Sequence, residues 1–378
     1  MVKVTRQRLN IRWEIGREGK AGALVIRWIG CSLGCGVCYV SHKDADPNIS
    51  IHEGTEQRAV KQVESWLNKN PAIHVRTRRK GYIRWARIQG GEPLLYKERA
   101  IATVDLAERA LAWMLEQAHD LIPRVVIQTN GIWFATASDD DIIDVVERMA
   151  SAVERIGRGR ICIEVSFKGP NPEITEKYAL ARRPELKGMN VFDEQIRGFK
   201  RLREAILHEI WGKGITRVAI YPIAGFGPCL KGFIPVDDTI SEHDVYPLFH
   251  PKTWDPRFKH VIDIFKQDLL DYGKTIYKGY LESLKKHFNG QFLVPMETME
   301  PTPFQRGWTA YLKRDKLIAN FARKYIRITD IHQSSLRMFM NDIAGILQEI
   351  PIEYVREKIQ EVYHYFYHVM PEKHYPYL

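Results

Sequence analysis

The chain has 378 residues, of which 45% are hydrophobic and 27% charged, and its formal net charge is +10. This balance is typical of a globular protein and excludes a disordered or fibrous chain. No run of 18 apolar residues occurs and the N-terminus lacks the apolar stretch of a secretory signal, so we expect a cytoplasmic protein without a membrane partner.

Short β-rich segments alternate with helical patterns along the first two-thirds of the chain. The predicted strands are 23–30, 82–89, 124–128, 160–168, 216–223 and 291–297, and the predicted helices are 55–69, 97–118, 138–156, 191–212 and 258–288. Six such alternations with right-handed crossovers predict an α/β fold whose parallel sheet curls into a partial (β/α)6 TIM-like barrel.

The pattern changes near residue 305, after which only helices are predicted. The last helix has an apolar stripe at 3,4,3,4 spacing: Ile352, Val355, Ile359, Val362 and Phe366. We therefore expect an N-terminal segment over 1–20, a barrel over 21–304 and a helical C-terminal extension over 305–378.

Three of the five cysteines stand together directly after the first predicted strand. Cys31, Cys35 and Cys38 form a C-x3-C-x2-C triplet in a glycine-rich loop. Thiolates this close can converge on one soft metal centre. Three cysteines on a cubane [4Fe–4S] cluster leave one iron open to an exchangeable ligand. The alternative is a structural zinc site completed by His42.

The triplet resembles the defining motif of the radical S-adenosylmethionine (SAM) superfamily. Four residues after the second predicted strand are similar to that superfamily's GGEP motif, which binds the amino group of SAM: Gly90, Gly91, Glu92 and Pro93. The turn Thr129–Gly131 resembles the segment after the superfamily's third strand, which makes Asn130 a further candidate for cofactor binding. The resemblance covers roughly residues 20–300.

The fourth predicted strand places Glu164, Ser166 and Lys168 on one face, towards the barrel interior. This run is similar to the Asp-x-Lys strand of glycyl-radical-enzyme activases. By that resemblance, Lys168 holds the SAM carboxylate and Ser166 lies near the ribose or carboxylate. An aromatic residue usually precedes the third cysteine and packs by the adenine; here Tyr39 follows that cysteine and is the candidate for the contact.

The resemblance implies a radical SAM oxidoreductase with one [4Fe–4S] cluster per chain and SAM. A ferredoxin or flavodoxin reduces the cluster, SAM is cleaved reductively, and the resulting 5′-deoxyadenosyl radical abstracts hydrogen from a protein or small-molecule substrate. The resemblance is nearly silent on which substrate this is. Cys162 and Cys229 stand alone and are expected to be structural.

The basic surplus leaves two alternatives open. The run 76–87 carries six basic residues with Tyr82 and Trp85, and a second cluster lies in 313–327. Such stripes are found in nucleic-acid binders, so RNA modification is one alternative. A zinc protein that binds an acidic partner is the other. The run 76–80 precedes the second predicted strand, whereas Gly90–Pro93 follow it. About eight residues at about 3.3 Å each separate the two, so the run is expected on the face opposite the SAM site.

Overall fold

The computed structural model describes residues 10–15, 21–35, 55–72, 82–117, 123–180, 183–224, 254–272, 276, 295–299, 326–332 and 335–340. These residues fall into two compact units. The first takes in the described residues up to 34, from 55 to 166 and from 193 to 221. The second takes in residue 35, the described residues from 167 to 192, and those from 222 onward.

The described strands are β1 (Asn10–Ile15), β2 (Ala21–Trp28), β3 (Tyr82–Gly90), β4 (Arg124–Thr129), β5 (Arg160–Phe167), β6 (Val218–Ala224), β7 (Pro295–Met299), β8 (Ile326–His332) and β9 (Ser335–Met340). The described α-helices are α1 (Thr55–Lys69), α2 (Lys97–Leu115), α3 (Trp133–Thr136), α4 (Asp139–Ile156), α5 (Pro172–Ala179), α6 (Val191–Ile206) and α7 (Pro256–Tyr272).

The first unit is an open sheet with the order β1-β2-β3-β4-β5-β6. β2, β3, β4 and β5 pair in parallel, whereas β1 is antiparallel to β2. Connecting parallel neighbours requires crossovers, and α1, α2 and α4 supply them. This arrangement confirms the predicted α/β partial-barrel class. The strand β1 was not predicted, because it lies in a segment read only as a polar N-terminus.

The two faces of this sheet differ in chemistry. Successive side chains point to opposite faces, and one face carries fully buried apolar residues on each strand, such as Ile26, Ile88, Ile127 and Ile163. Helix α2 packs on β3 and β4 and also contacts α1 and α4. The opposite face is the one on which polar side chains occur, and it carries part of the site.

Local signals fix both ends of α4. Ser138 Oγ accepts a hydrogen bond from the Asp141 N–H at 3.1 Å, as expected for a serine N-cap. Gly157 ends the helix with φ of +69°, a conformation in which glycine is favoured. The predicted start and end of this helix are confirmed.

Helix α6 continues into one π-helical turn, Leu207–Trp211. The Gly212 N–H donates to the Leu207 carbonyl at 2.7 Å, five residues back. Trp211, the last residue of the turn, donates a hydrogen bond from its ring Nε1 to the carbonyl of Val218, the first residue of β6, at 2.8 Å. The π turn therefore places an anchor for the strand that follows it.

In the second unit, β7 and β8 each pair antiparallel with β9, and Ala224 pairs in parallel with Met296. The prediction of helices only after residue 305 is therefore wrong for 326–332 and 335–340. Apolar residues alternate there as a strand requires, for example Leu336, Met338 and Met340. The predicted helix at 352–366 lies outside the described residues.

Within the described part of the chain, no helix combines the length and apolar character needed to cross a membrane.

Candidate functional site

The Gly90-Gly91 turn packs directly against the residues that lead into the cysteine loop. The Gly91 N–H donates to the Trp28 carbonyl and the Glu92 N–H to the Gly30 carbonyl, each at 2.8 Å. A Cβ on Gly91 would lie 2.1 Å from the Gly30 oxygen, and Gly90 has φ of +113°. Only glycine fits this close approach. Both predicted motif glycines are thus explained by their contact with the strand end before Cys31.

Glu92 links this turn to the one after β4. Its side chain is buried, with 2% exposed. One carboxylate oxygen accepts from the Leu94 N–H at 3.0 Å and from Thr129 Oγ1 at 2.5 Å. The other accepts from the Asn130 N–H at 2.7 Å. The carboxylate predicted to meet the SAM amino group therefore also holds two loops of the site together.

Asn130 reaches back to the cysteine loop. Its Nδ2 donates to Ser32 Oγ at 3.1 Å and lies 3.8 Å from Cys31 Sγ, while its Oδ1 accepts from the Ile132 N–H at 3.0 Å. Cys31 Sγ also accepts from the Leu33 N–H at 3.4 Å. The residues after β2, β3 and β4 thus meet at one edge of the sheet, as predicted for carboxyl ends of parallel strands.

Gln195 on α6 joins β4 to β5 and was missed by sequence reasoning. Its Nε2 donates to the Asn130 carbonyl at 2.7 Å and to the Ser166 carbonyl at 2.9 Å, and the residue is 1% exposed. Gly198 allows this approach, because a Cβ there would lie 2.0 Å from the Gly131 oxygen. A polar residue within the apolar stripe of α6, beside Ile196, was the signal that could have identified it.

Arg99 on α2 contacts the residues that lead into the cysteine loop, and it was not predicted from the sequence. It is fully buried, and its Nη1 donates to the Ile29 carbonyl at 2.8 Å. Its guanidinium carbon lies 5.1 Å from the ring centroids of both Trp28 and Tyr96. Its Nε lies 3.5 Å from Glu56 Oε1. Nothing in the local sequence distinguishes this arginine from a solvated one.

Tyr96 completes that group by donating its hydroxyl hydrogen to Glu56 Oε1. Burial, and then the bond to Glu56, raise the pKa of Tyr96 well above its usual range. The phenol is therefore a permanent donor at neutral pH, and the Glu56 carboxylate is held between Tyr96 and Arg99.

The interior face of the sheet carries a buried polar group on the strand residues that precede the motifs. Glu164 Oε1 accepts from the Tyr221 hydroxyl at 2.7 Å, and Glu164 Oε2 lies 3.9 Å from Arg87 Nη2. These residues stand on three different strands, β5, β6 and β3. The predicted inward orientation of Glu164 is confirmed by its contact with Tyr221 on the neighbouring strand.

Arg87 is the last residue of the predicted basic stripe 76–87. It is only 2% exposed and faces Glu164, so it does not contribute to any exposed stripe. Residues 73–81 and the whole run 313–325 lie outside the described residues.

Cys31 and Cys35 are both half-buried, and Cys162 is buried in β5, as expected for a structural cysteine. Ser166 is buried at the end of β5, and Lys168 is half-buried just beyond it. Cys38, Tyr39, His42 and Cys229 lie outside the described residues. A partly accessible Cys31 thiol at the carboxyl end of a parallel strand, with an amide donor 3.8 Å away, fits a ligand of an iron–sulfur cluster.

A family model described as the radical SAM superfamily matches residues 25–216, which include Cys31, the turn at Gly90 and Gly91, Asn130 and Ser166. A solved structure described as native anSMEcpe with bound AdoMet and Cp18Cys peptide matches with a TM-score of 0.31. The identity is 15%, over 72% of this chain and 67% of that chain. No curated protein matches the chain.

Proposed function

The chain belongs to the radical SAM superfamily, and on that premise we propose that it is an enzyme that cleaves SAM reductively. The proposed substrate is a protein or a small molecule from which a hydrogen atom is removed. Cys31, Cys35 and Cys38 are the proposed ligands of one [4Fe–4S] cluster. When bound, the cluster supplies the electron that splits SAM into methionine and a 5′-deoxyadenosyl radical.

The observation that carries this proposal is the interlocking of the loops after β2, β3 and β4. Gly91 lies against Gly30, and Asn130 reaches Ser32 and Cys31, so the two downstream motifs contact the cysteine loop itself. Turns that served only to reverse the chain would not need these contacts with the cysteine loop. Active sites of barrels are built at this end of the strands.

Each residue has a proposed task. The GGEP turn, Gly90, Gly91, Glu92 and Pro93, binds the amino group of SAM, and Lys168 binds its carboxylate. Ser166 lies near the ribose or carboxylate, and Tyr39 contacts the adenine. Asn130 directs an amide donor at Cys31 Sγ and so orients that ligand. Hydrogen bonds to ligating sulfur atoms are a recognised means of tuning a cluster.

We propose that the polar group Arg87, Glu164 and Tyr221 lies beneath the substrate site on the interior face of the sheet and supports it. Buried polar side chains are costly unless they are hydrogen-bonded or serve a site. The proposed electron donor is a low-potential ferredoxin or flavodoxin, and the proposed location of the reaction is the cytoplasm.

Anaerobic reconstitution tests the proposal. The loaded protein is expected to be brown, to contain iron and sulfide, and to form 5′-deoxyadenosine from SAM when reduced. Cys31→Ala should abolish all three signals, whereas Cys162→Ala, in the body of β5, should keep them. Product is measured by chromatography with mass detection.

Protein that binds zinc and takes up no iron would contradict the proposal and support the structural-zinc alternative. An RNA substrate would instead predict steeply salt-dependent RNA binding that is lost when 76–80 or 313–327 is neutralised. The burial of Arg87 already removes one cation from that first stripe.

A further inference from the structure

We propose that Arg99 is a positioning residue of the cluster site, with two tasks. It fixes the peptide that precedes Cys31, and its buried positive charge raises the reduction potential of a cluster bound by that cysteine. This inference rests on the proposed function, because it concerns the same cysteine loop.

The first task follows from the hydrogen bonds of the guanidinium. Nη1 donates to the Ile29 carbonyl at 2.8 Å and lies 3.5 Å from the Gly30 carbonyl. Gly30 directly precedes Cys31 and has φ of +79°, so its conformation must be held by its surroundings. The Gly30 carbonyl also accepts from the Glu92 N–H. Arg99 and the GGEP turn therefore fix the same peptide from two sides.

The second task follows from burial and charge. Arg99 is 0% exposed, so water does not screen its charge, and charges interact strongly in such surroundings. Glu56 neutralises it only in part: the carboxylate lies 3.5 Å from Nε, which is beyond a good ion-pair hydrogen bond. Nη1 faces the loop carbonyls instead. Within the described residues, Nη2 makes no hydrogen bond.

The orientation of this pair determines the sign of the effect. The positive end points at the peptide before Cys31, and the negative end, Glu56, lies on the Nε side. Reduction adds one electron to a cluster and makes it more negative. A nearby buried cation stabilises the reduced form relative to the oxidised form, and so raises the reduction potential.

The rings of Trp28 and Tyr96 hold the guanidinium in place. Each ring centroid lies 5.1 Å from the guanidinium carbon, a distance typical of cation–π contacts. Trp28 is the last residue of β2, and Tyr96 directly precedes α2. The arginine is therefore held by the same two elements that carry the cysteine loop and the GGEP turn.

A redox titration of reconstituted protein, followed by electron paramagnetic resonance, tests the charge effect. Arg99→Gln is expected to lower the midpoint potential of the cluster. Arg99→Lys keeps the positive charge and is expected to have a midpoint potential close to that of wild type. Glu56→Gln removes the partial counter-charge and is expected to raise the potential. Tyr96→Phe changes no charge and should leave it near the wild-type value. The matched control is Arg109→Gln, on the same helix in an exposed pair with Glu64, which should not move it.

The metal-free protein tests the positioning task separately. Amide hydrogen exchange at Glu92 should be faster in Arg99→Gln than in wild type, because the Gly30 carbonyl that accepts from this amide loses its contact with Arg99. Arg109→Gln should leave exchange at Glu92 unchanged.

The results separate this inference from the proposed function. Wild-type protein that takes up no iron overturns both. Iron-loaded Arg99→Gln and Glu56→Gln variants with wild-type potentials overturn this inference alone. If Arg99→Gln does not fold, Glu56→Gln still decides, since only a charge effect predicts an upward shift that Tyr96→Phe lacks.

Discussion

At the scale of single residues, Gly91 shows how a motif can be required by contact between two backbones. The position allows no Cβ, because the Gly30 oxygen would be 2.1 Å away, and that oxygen is itself held by the Glu92 N–H. The neighbouring backbone therefore has little freedom to move aside.

We expect Gly91→Ala to lower the free energy of unfolding by about 3 kcal/mol, the upper range for overpacking. It should also prevent iron uptake, because it displaces the peptide before Cys31. Gly157→Ala is the matched control: it has φ of +69° but meets no atom within 4 Å. That variant should lose only about 1 kcal/mol, the cost of a left-handed conformation, and keep its iron. Denaturant unfolding and iron analysis measure both; equal iron contents would contradict the explanation.

Glu92→Gln is expected to destabilise the fold by about 1–3 kcal/mol, because an amide NH2 would then face backbone and hydroxyl donors. The three donors are the Leu94 N–H, the Thr129 hydroxyl and the Asn130 N–H. Glu98→Gln, at an exposed position of α2, is the control and should change stability little. If Glu92→Gln lost SAM binding while its unfolding curve stayed that of wild type, the carboxylate would serve the ligand and not the loops.

The candidate residues that sequence reasoning identified are those whose spacing is unusual by itself, such as Cys31 with its two partners and Gly90 with Gly91. Gln195 and Arg99 were missed because their importance arises from contacts with residues about 65 to 70 positions away. Such contacts leave no trace in the local pattern. The cofactor-binding and metal-binding roles stay predictions for the whole predicted set: Gly90, Gly91, Glu92, Pro93, Asn130, Ser166, Lys168, Tyr39, Cys31, Cys35 and Cys38.

At the scale of elements, α2 and α4 are joined by ion pairs along their length. Lys97 contacts both Asp141 and Asp144 at 2.6 Å, Arg148 contacts Asp105 at 2.7 Å, and Arg155 contacts Glu108 at 2.6 Å. These pairs are largely exposed, so each contributes little alone. Together they align two helices that cover the same sheet.

The pair at the start of α4 predicts a pH dependence. The hydrogen bond from Lys97, followed by that with Ser138, lowers the pKa of Asp141 below its usual range. A carboxyl whose pKa is lower in the folded state stabilises the fold above its unfolded pKa, and this stability is lost as pH falls through the folded value. Stability should therefore fall from about pH 5 downward.

Lys97→Met should flatten that acid slope, because Asp141 then titrates closer to its unfolded value. Lys61→Met, at an exposed position of α1, removes the same charge and should leave the slope as it is. Urea unfolding at a series of pH values measures the slope, and parallel curves for wild type and Lys97→Met would contradict the prediction.

Element boundaries in the first unit were well predicted, because hydrophobic alternation and capping residues mark them. The predicted start at Ser138 is one example, and the strand 124–128 is another, observed as Arg124–Thr129. The strands β1, β8 and β9 were missed. Their apolar residues do alternate, as at Ile11, Trp13 and Ile15, but each strand has only six or seven residues. Antiparallel partners stabilise such short segments.

At the scale of the whole molecule, some of the basic residues behind the net charge of +10 lie inside the protein. Arg87 and Arg99 are buried in the first unit, and several other cations pair with carboxylates on α2 and α4. In the part of the chain that the structure describes, these basic residues therefore stabilise the fold.

The core of the first unit consists of packed apolar side chains. Its apolar sheet face is fully buried at positions such as Ile26, Ile127 and Ile163. We expect removal of iron to leave the far-ultraviolet circular dichroism unchanged and to lower the melting temperature by only a few degrees, as loss of a bound ligand does. Cys31→Ala should melt like iron-free wild type, and Cys162→Ala provides the comparison with iron bound. A chain that unfolds on chelation would contradict this expectation.

The fold class and the superfamily could be predicted because the cysteine triplet and the strand-end motifs recur in the right order along one sheet. The substrate could not, because the interior polar group of Arg87, Glu164 and Tyr221 is assembled from three strands that are far apart in the sequence. The predicted domain boundaries at 20 and 304 stay predictions.

The π turn Leu207–Trp211 has a consequence for the spacing of the chain. It holds one residue more than an α-helical turn between the end of α6 and the anchor formed by Trp211. Deleting one residue from this turn would return it to regular helix with Trp211 on the same side of the axis, whereas deleting one residue within α6 would rotate Trp211 by about 100° about the helix axis. In the latter case the indole would leave the Val218 carbonyl, and β6 would lose the support that presents Tyr221 to Glu164. A deletion of one residue within α6 would thus disturb the interior of the sheet.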